Sequence, residues 1–217
     1  MPIGYKKPNP PFFHMQKLIL GCLATLALVA ACASDARAQS TINFVTNGAI
    51  VSTDSTQTGR INRFAPPSVY TSNKPFPGLF STTPGYHYDA YIFVNTNSFD
   101  EAVFITLSST ATTSVPFSEA YLTAFDPTNL ATNYRGDAGN SPVSADGVTP
   151  ASTPYSILVP ANTTFVVVVN EATLNGGVAS YTLSVSTSVP EPSTWALLGL
   201  GAVGAGVAVW RRRRAVA

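Results

Sequence analysis

Apolar positions follow three regimes along the chain. Residues 18–31 and 195–210 are unbroken runs of apolar and small side chains, whereas residues 40–187 alternate between apolar and polar positions and are broken by clusters of Ser, Thr, Asn, Gly and Pro. In the middle regime Tyr181, Leu183 and Val185 are interleaved with Thr182, Ser184 and Ser186, and Val103, Ile105 and Leu107 repeat the period of two. That period places one face of a strand on a core and the other in water. Residues 164–169 differ, being β-branched or aromatic throughout between Asn162 and Asn170, which predicts a central strand buried on both faces. Further strands are predicted at 42–46, 49–52, 88–95, 120–125 and 155–159. Seven to nine strands separated by turn signals predict an all-β fold, an antiparallel β-sandwich. Residues 97–100 fit a hairpin connection, and Asn175-Gly176-Gly177 supplies residues that tolerate positive φ. Two segments rich in Pro, Asn and Gly, 60–85 and 126–154, are predicted to cross the surface as loops.

The two apolar runs belong to the ends. Lys17 precedes 18–31, and Ala36-Arg37-Ala38 provides the small residues of a signal-peptidase site, so 1–38 is expected to be a leader ending in a signal helix, with Gln39 the first mature residue. A start at Met15 gives a signal of more ordinary length. A second exit stays open, because Leu28-Val29-Ala30-Ala31-Cys32 also fits a bacterial lipobox, in which acyl chains on Cys32 would anchor this end. At the other end, the sixteen uncharged residues 195–210 span about 24 Å as a helix, somewhat under the ~30 Å hydrocarbon core, with Trp195 and Trp210 at the interfaces. The cluster Arg211, Arg212, Arg213 and Arg214 resists translocation, so this transmembrane helix is expected in the inner membrane with its C-terminus cytoplasmic. Residues 39–187 are then the exported domain and 188–217 a separate tail.

Pro190-Glu191-Pro192, the apolar helix and the arginine cluster together resemble the PEP-CTERM sorting signal of Gram-negative bacteria. The resemblance implies processing by an exosortase-class peptidase near Pro190 to Pro192 and delivery to the outer surface. The Gly199-x-Gly201-x-x-Gly204 spacing inside this tail is no dinucleotide-binding motif, since it opens no βαβ unit and no acid follows it; close helix packing in lipid accounts for the glycines. A second resemblance covers 86–186. The segments YDAYIFVN at 88–95, AYLTAFDP at 120–127 with Asn133-Tyr134 and Gly136-Asp137, TFVVVVN at 164–170 behind Val159-Pro160-Ala161, and ASYTL at 179–183 are similar to bacterial pre-peptidase C-terminal jelly-roll domains. It implies an accessory module on a secreted protein. Val103 and Val178 stand where some members of that family pair cysteines, so no bridge is implied here.

Charge and rare residues narrow the chemistry. The chain has 12 Lys and Arg against 11 Asp and Glu, but between 39 and 189 only Arg60, Arg63, Lys74 and Arg135 oppose nine acids, a net of −5. Such a domain repels phosphate backbones, and nucleic acid is not an expected partner. Both cysteines, Cys22 and Cys32, lie in the leader, leaving one histidine, His87, for the exported domain. A Ser-His-Asp triad would have to use His87, which has no nucleophile elbow near it and is expected on a polar strand face beside Asp89. One histidine and no mature cysteine do not make a zinc set. Asp126, Asn129, Asp137, Asn140 and Asp146 offer oxygens for calcium, but their spacing matches no cation motif, and turn hydrogen bonds explain them. Asp100, Glu101, Glu119 and Glu171 are the acids available for glycoside cleavage and are expected to face solvent. Tyr86, Tyr91, Phe93 and Tyr134 are candidates for a sugar-stacking platform, with core packing as the commoner explanation. The expectation is a non-enzymatic, cofactor-free surface or matrix protein associated with exopolysaccharide and handled by signal peptidase and an exosortase-class enzyme. The alternatives are a polysaccharide-binding module and a secreted hydrolase.

Overall fold

The computed structural model describes residues 40–63, 66–113 and 115–187. The expected signal helix and transmembrane helix, with Cys32, Ala36, Ala38, Gln39, Pro190, Glu191, Pro192 and Arg211 to Arg214, lie outside the described residues. Among the described residues no helix is long and apolar enough to cross a membrane.

Nine strands follow in chain order: β1 Asn43–Ile50, β2 Thr56–Ile61, β3 Leu79–Val94, β4 Glu101–Ser109, β5 Pro116–Leu122, β6 Tyr134–Asp137, β7 Ala151–Val159, β8 Thr164–Glu171 and β9 Ala179–Thr187. They form a four-stranded sheet, β1-β9-β4-β7, and a five-stranded sheet, β2-β3-β8-β5-β6. Every pairing is antiparallel. With β2 set aside, the outermost strands of the chain pair (β1 with β9), then the next (β3 with β8), then β4 with β7 and β5 with β6. That nesting is a long hairpin rolled into two sheets, the jelly-roll topology.

The period of two is realised in β9, where Tyr181, Leu183 and Val185 are buried, and in β4, where Val103, Ile105 and Leu107 join the same core. Strand β8 is the middle strand of its sheet and is buried almost throughout. Phe165, Val167 and Val169 face the other sheet, while Val166 and Val168 pack beneath Tyr121, with Tyr88, Phe125 and Tyr134 around them. A second layer over the outer face of this sheet therefore explains why the segment lacks alternation.

Several expectations are corrected. The segments 42–46 and 49–52 are one strand, because Gly48 lets the chain continue beneath the Tyr181 ring; a Cβ there would lie 2.5 Å from Tyr181 Cζ. The 120–125 strand begins earlier, at Pro116, and ends at Leu122, since Thr123 adopts φ 68° and turns Ala124 and Phe125 out of the sheet. Residues 97–100 do not close a hairpin: β3 and β4 lie in different sheets, and the link is an arch tied by Asn95, whose Nδ2 donates to the carbonyls of Phe99, Val159 and Pro160 at 3.0–3.2 Å. The presumed loop 60–85 contains the end of β2 and the start of β3, and the presumed loop 126–154 contains β6 and the start of β7. Asn175 and Gly177 do adopt positive φ, 52° and 87°.

Segment 66–74 runs between the edge strands of the two sheets. Ser68 N donates to Asp137 O of β6 (3.0 Å), and Ser156 N of β7 donates to Ser68 O (2.9 Å). Gly136 makes the approach possible, since a Cβ there would lie 2.6 Å from Ser68 Oγ and 2.8 Å from Ile157 Cγ2.

Candidate functional site

The residues singled out for catalysis are held in separate structural settings. His87, in β3, turns Nδ1 toward Glu171 Oε1 at 3.1 Å, not toward Asp89. Glu171, at the end of β8, also accepts from the backbone N–H groups of His87 (3.0 Å), Asn175 (3.3 Å) and Gly176 (3.3 Å), so it ties β3 to the β8–β9 turn. A small cavity of about 100 Å³ beside this pair is lined by Val51, Ser52, Asn175 and Gly177 and offers no nucleophile other than the Ser52 hydroxyl. Asp89 accepts a hydrogen bond from the Tyr181 hydroxyl, which itself meets the Tyr91 hydroxyl at 2.7 Å. Burial raises the Asp89 carboxyl above its usual range, and the Tyr181 bond opposes that shift.

Three of the four acids expected in solvent are buried: Glu101, Glu119 and Glu171. Glu101 accepts from Asn97 Nδ2 at 3.1 Å inside the arch, and only Asp100 is exposed, where it accepts from the Ala161 N–H at 3.2 Å. Glu119, in β5, is fully buried opposite Asp137 of β6. Its Oε1 accepts from Asn170 Nδ2 at 3.3 Å, while Oε2 has no well-formed partner, although Tyr121, Gln57 and Arg60 are its neighbours. Burial pushes the Glu119 carboxyl up to about 8, and the nearby Asp137 carboxylate adds to the rise. Gln57 and Arg60 come from β2, and Arg60 packs its guanidinium 4.1 Å from the Phe80 ring centroid. A perturbed carboxyl is often a functional signal. Here Gln57, Arg60, Tyr121 and Asn170 are buried with it, which makes the group a polar knot between β2 and the sheet.

The oxygen-rich residues of 126–146 make turns. Asp126 Oδ1 accepts from Thr128 N and Thr128 Oγ1 at 2.9 and 2.7 Å, and Asp146 accepts from the N–H groups of Val148 and Thr149, which hold its carboxyl below the usual range. Asn129 and Asn140 accept from the N–H groups of Ala131 and Ser141. Asp137 is instead buried and paired with Lys74 Nζ at 2.7 Å. Among the described residues no three His, Cys, Asp or Glu side chains converge as a metal set. The aromatic platform is also dispersed: Tyr86 is buried, Phe93 stacks on Phe165 at 5.2 Å, and Tyr134 packs edge-on to Phe76 at 5.3 Å.

An open groove of about 530 Å³ crosses β1, β9 and β4. Its lining includes Asn47, Ala49, Ser108, Thr110, Ser180 and Thr182, and no charged side chain. Thr182 Oγ1 donates to Asn47 Oδ1 (2.8 Å), and Ser108 Oγ lies 2.7 Å from Ser152 Oγ, so hydroxyls and amides are already ordered there. Such a surface offers hydrogen bonds to a neutral polar ligand and no nucleophile with an adjacent base. Its only signal in the sequence is the Ser and Thr set between the apolar positions of β9 and β4; the Asn47 contribution depends on a register that sequence does not reveal.

Comparison with known families decides the context of this domain. Residues 188–214 match the family model for the PEP-CTERM protein-sorting motif. The chain carries a PEP-CTERM sorting signal. The matched span includes Pro190, Glu191 and Pro192 and the arginines 211–214. The PEP-CTERM motif indicates an exported protein directed to the cell surface or the extracellular space and processed by an exosortase-class enzyme. No match was found among curated proteins. Among solved structures, the chain is similar to the K3 cleaved adhesin domain of Lys-gingipain from Porphyromonas gingivalis w83, at 11% identity, a TM-score of 0.34, and coverage of 54% of this chain and 70% of that one.

Proposed function

We propose that the domain delivered by this PEP-CTERM signal is a non-enzymatic component of the bacterial surface or extracellular matrix, associated with exopolysaccharide, and that the tail holds it in the inner membrane until processing. The sorting motif at 188–214 carries the reading. The hydrogen-bonded setting of His87, in which its one carboxylate partner anchors a turn, supports a structural role over a catalytic one. Titration calorimetry of residues 39–189 against the cell's own glycans tests the association; binding heat is expected, and no heat with no thermal shift would remove it. Hydrolytic turnover by the purified domain that disappears in His87→Ala would overturn the non-enzymatic reading. Intact mass of surface material should show a C-terminus near Pro190 to Pro192, and one still at Ala217 would defeat exosortase processing.

A glycan-binding module is the second reading, favoured by the uncharged groove over β1, β9 and β4. Neutral sugars present many hydroxyls and no charge, and an ordered Asn, Ser and Thr surface offers donors and acceptors suited to them. If that groove is the site, Asn47→Ala with Thr182→Ala should abolish the binding heat while leaving the melting profile of the core in place.

A further inference from the structure

Strand β3 changes its neighbours halfway along. Residues 79–87 pair with β2, whereas 88–94 pair only with β8. The bond from Tyr88 N to Ser55 O (2.9 Å) is the last one on the outer edge among the described residues. Antiparallel ladders alternate bonded and non-bonded pairs. Because Asn95 N donates to Thr163 O (2.9 Å), residues 89, 91 and 93 turn their backbone groups to β8, and Ala90, Ile92 and Val94 turn theirs outward. These three are exposed, Ile92 at 72% and Val94 at 46%.

Natural sheets blunt such edges with lysine, proline, bulges or a covering segment. Strand β2 has three register shifts and a bond from Thr58 N to Pro127 O, and β6 and β7 are covered by segment 66–74. Among the described residues, 88–94 have none of these devices. Their one charge, Asp89, is taken by Tyr181. Strand β1 is also an edge, but its outward-facing positions are the polar Asn43 and Asn47, with Val45 and Ala49 between and beyond them.

We infer that residues 88–94 of β3 are a homodimer edge, pairing antiparallel with the same strand of a second copy about a two-fold axis at Ile92. In that register Ile92 faces Ile92 of the second copy and Val94 faces its Ala90. Each outward N–H meets a carbonyl, and no like charges are opposed. An isologous contact needs this self-complementarity, and the segment has it. A second copy would also cover the half-buried seam where Phe44 packs against Tyr91 and Phe93 at 5.7 and 5.3 Å. The inference is independent of glycan binding.

The compact unit Gln39–Pro190 contains the whole core and no cysteine, which supplies a clean test. Bonded antiparallel pairs hold their Cα atoms about 5.5 Å apart, within disulfide reach. Under mild oxidation Ile92→Cys should therefore form a covalent dimer at least about tenfold faster than Val148→Cys, a control at another exposed site. In light scattering the wild-type unit should be a dimer. Ile92→Pro, which removes an outward donor that β8 does not use, should be a monomer, and Val45→Lys should stay dimeric. A monomeric wild type at sub-millimolar concentration, equal crosslinking of the two cysteine variants, or a dimer that survives in a folded Ile92→Pro would each overturn the inference.

Discussion

The two flanks of the sandwich are closed by different means. On the β6–β7 flank, segment 66–74 bonds to both sheets, and Asp137 collects Lys74 Nζ, the Gly139 N–H, the Tyr134 hydroxyl and, through its own N–H, Ser68 Oγ. On the β1–β3 flank the sheets meet through Phe44, Tyr91 and Phe93 and through the Tyr181 hydroxyl on Asp89 and Tyr91. The turn 51–55 crosses from β1 to β2 at one end, where Ser55 O accepts from Tyr88 N, and no other described segment bonds to the outer edge of residues 89–94. The first flank depends on polar groups that must all be satisfied. The second depends mainly on aromatic contact, with one hydrogen-bonded group of Asp89, Tyr91 and Tyr181 inside it, and tolerates replacement at its rim. Polar closure seals an edge against further pairing, and aromatic closure leaves the backbone available.

Removing the hub of the closed flank should have the largest effect. Asp137→Ala leaves Lys74 without its carboxylate in a site where its side chain is only 10% exposed. Breaking a buried pair from one side costs about 3–5 kcal/mol. Val45→Lys, on the open flank at 63% exposure, should change stability by no more than about 0.5 kcal/mol. Urea midpoints of the two variants check the contrast, and equal losses would dissolve it.

Glu119 sharpens the comparison, because it lies directly across β5–β6 from Asp137 yet has one oxygen without a partner. Its folded pKa of about 8 is above the unfolded value of about 4.3. The folded state therefore binds the extra proton between those limits. Its stabilising contribution is full below about pH 4.3, declines as pH rises toward 8, and is level above that. Glu119→Gln removes the titration, so its stability relative to the wild type should climb by about 2–4 kcal/mol between pH 5 and pH 8. Thermal melts at both pH values, with a parallel response in the two proteins, would show that the carboxyl ionises without cost.

Legibility from sequence follows the same division. Strands β4, β8 and β9 are visible because burial between two sheets imposes alternation or a continuous β-branched run, and the all-β sandwich class follows from them. Strand β2, with the sequence TQTGRI, has no alternation to read. It is held by its neighbours, and its Gly59 takes φ 85° where a Cβ would meet Ser81 O at 2.5 Å. Strand β6 is four residues long and has its identity from Glu119 and Ser68 rather than from its own pattern. The polar knot was hidden for the same reason. Glu119 reads as a surface acid between Ser118 and Ala120, and the Gln57 and Arg60 that bury it come from the unrecognised strand. The sorting tail, by contrast, was readable because its motif, apolar run and arginines are contiguous in sequence.

The smallest of the three effects separates two ways of holding segment 66–74. Ser68→Ala deletes the Oγ that accepts from Asp137 N at 2.9 Å but keeps the backbone bonds of Ser68 to β6 and β7. An unsatisfied buried N–H costs about 1–3 kcal/mol. If the hydroxyl positions the segment, exchange of the Ser156 amide, which donates to Ser68 O, should accelerate along with that of Asp137. The Thr187 amide, which donates to Ile42 O beyond β1 on the opposite flank, should keep its rate relative to global unfolding. Unchanged protection at Ser156 would mean that the packing of Gly136 against Ile157, and not the segment, closes this side, and the contrast between the flanks would then be one of side-chain contact alone.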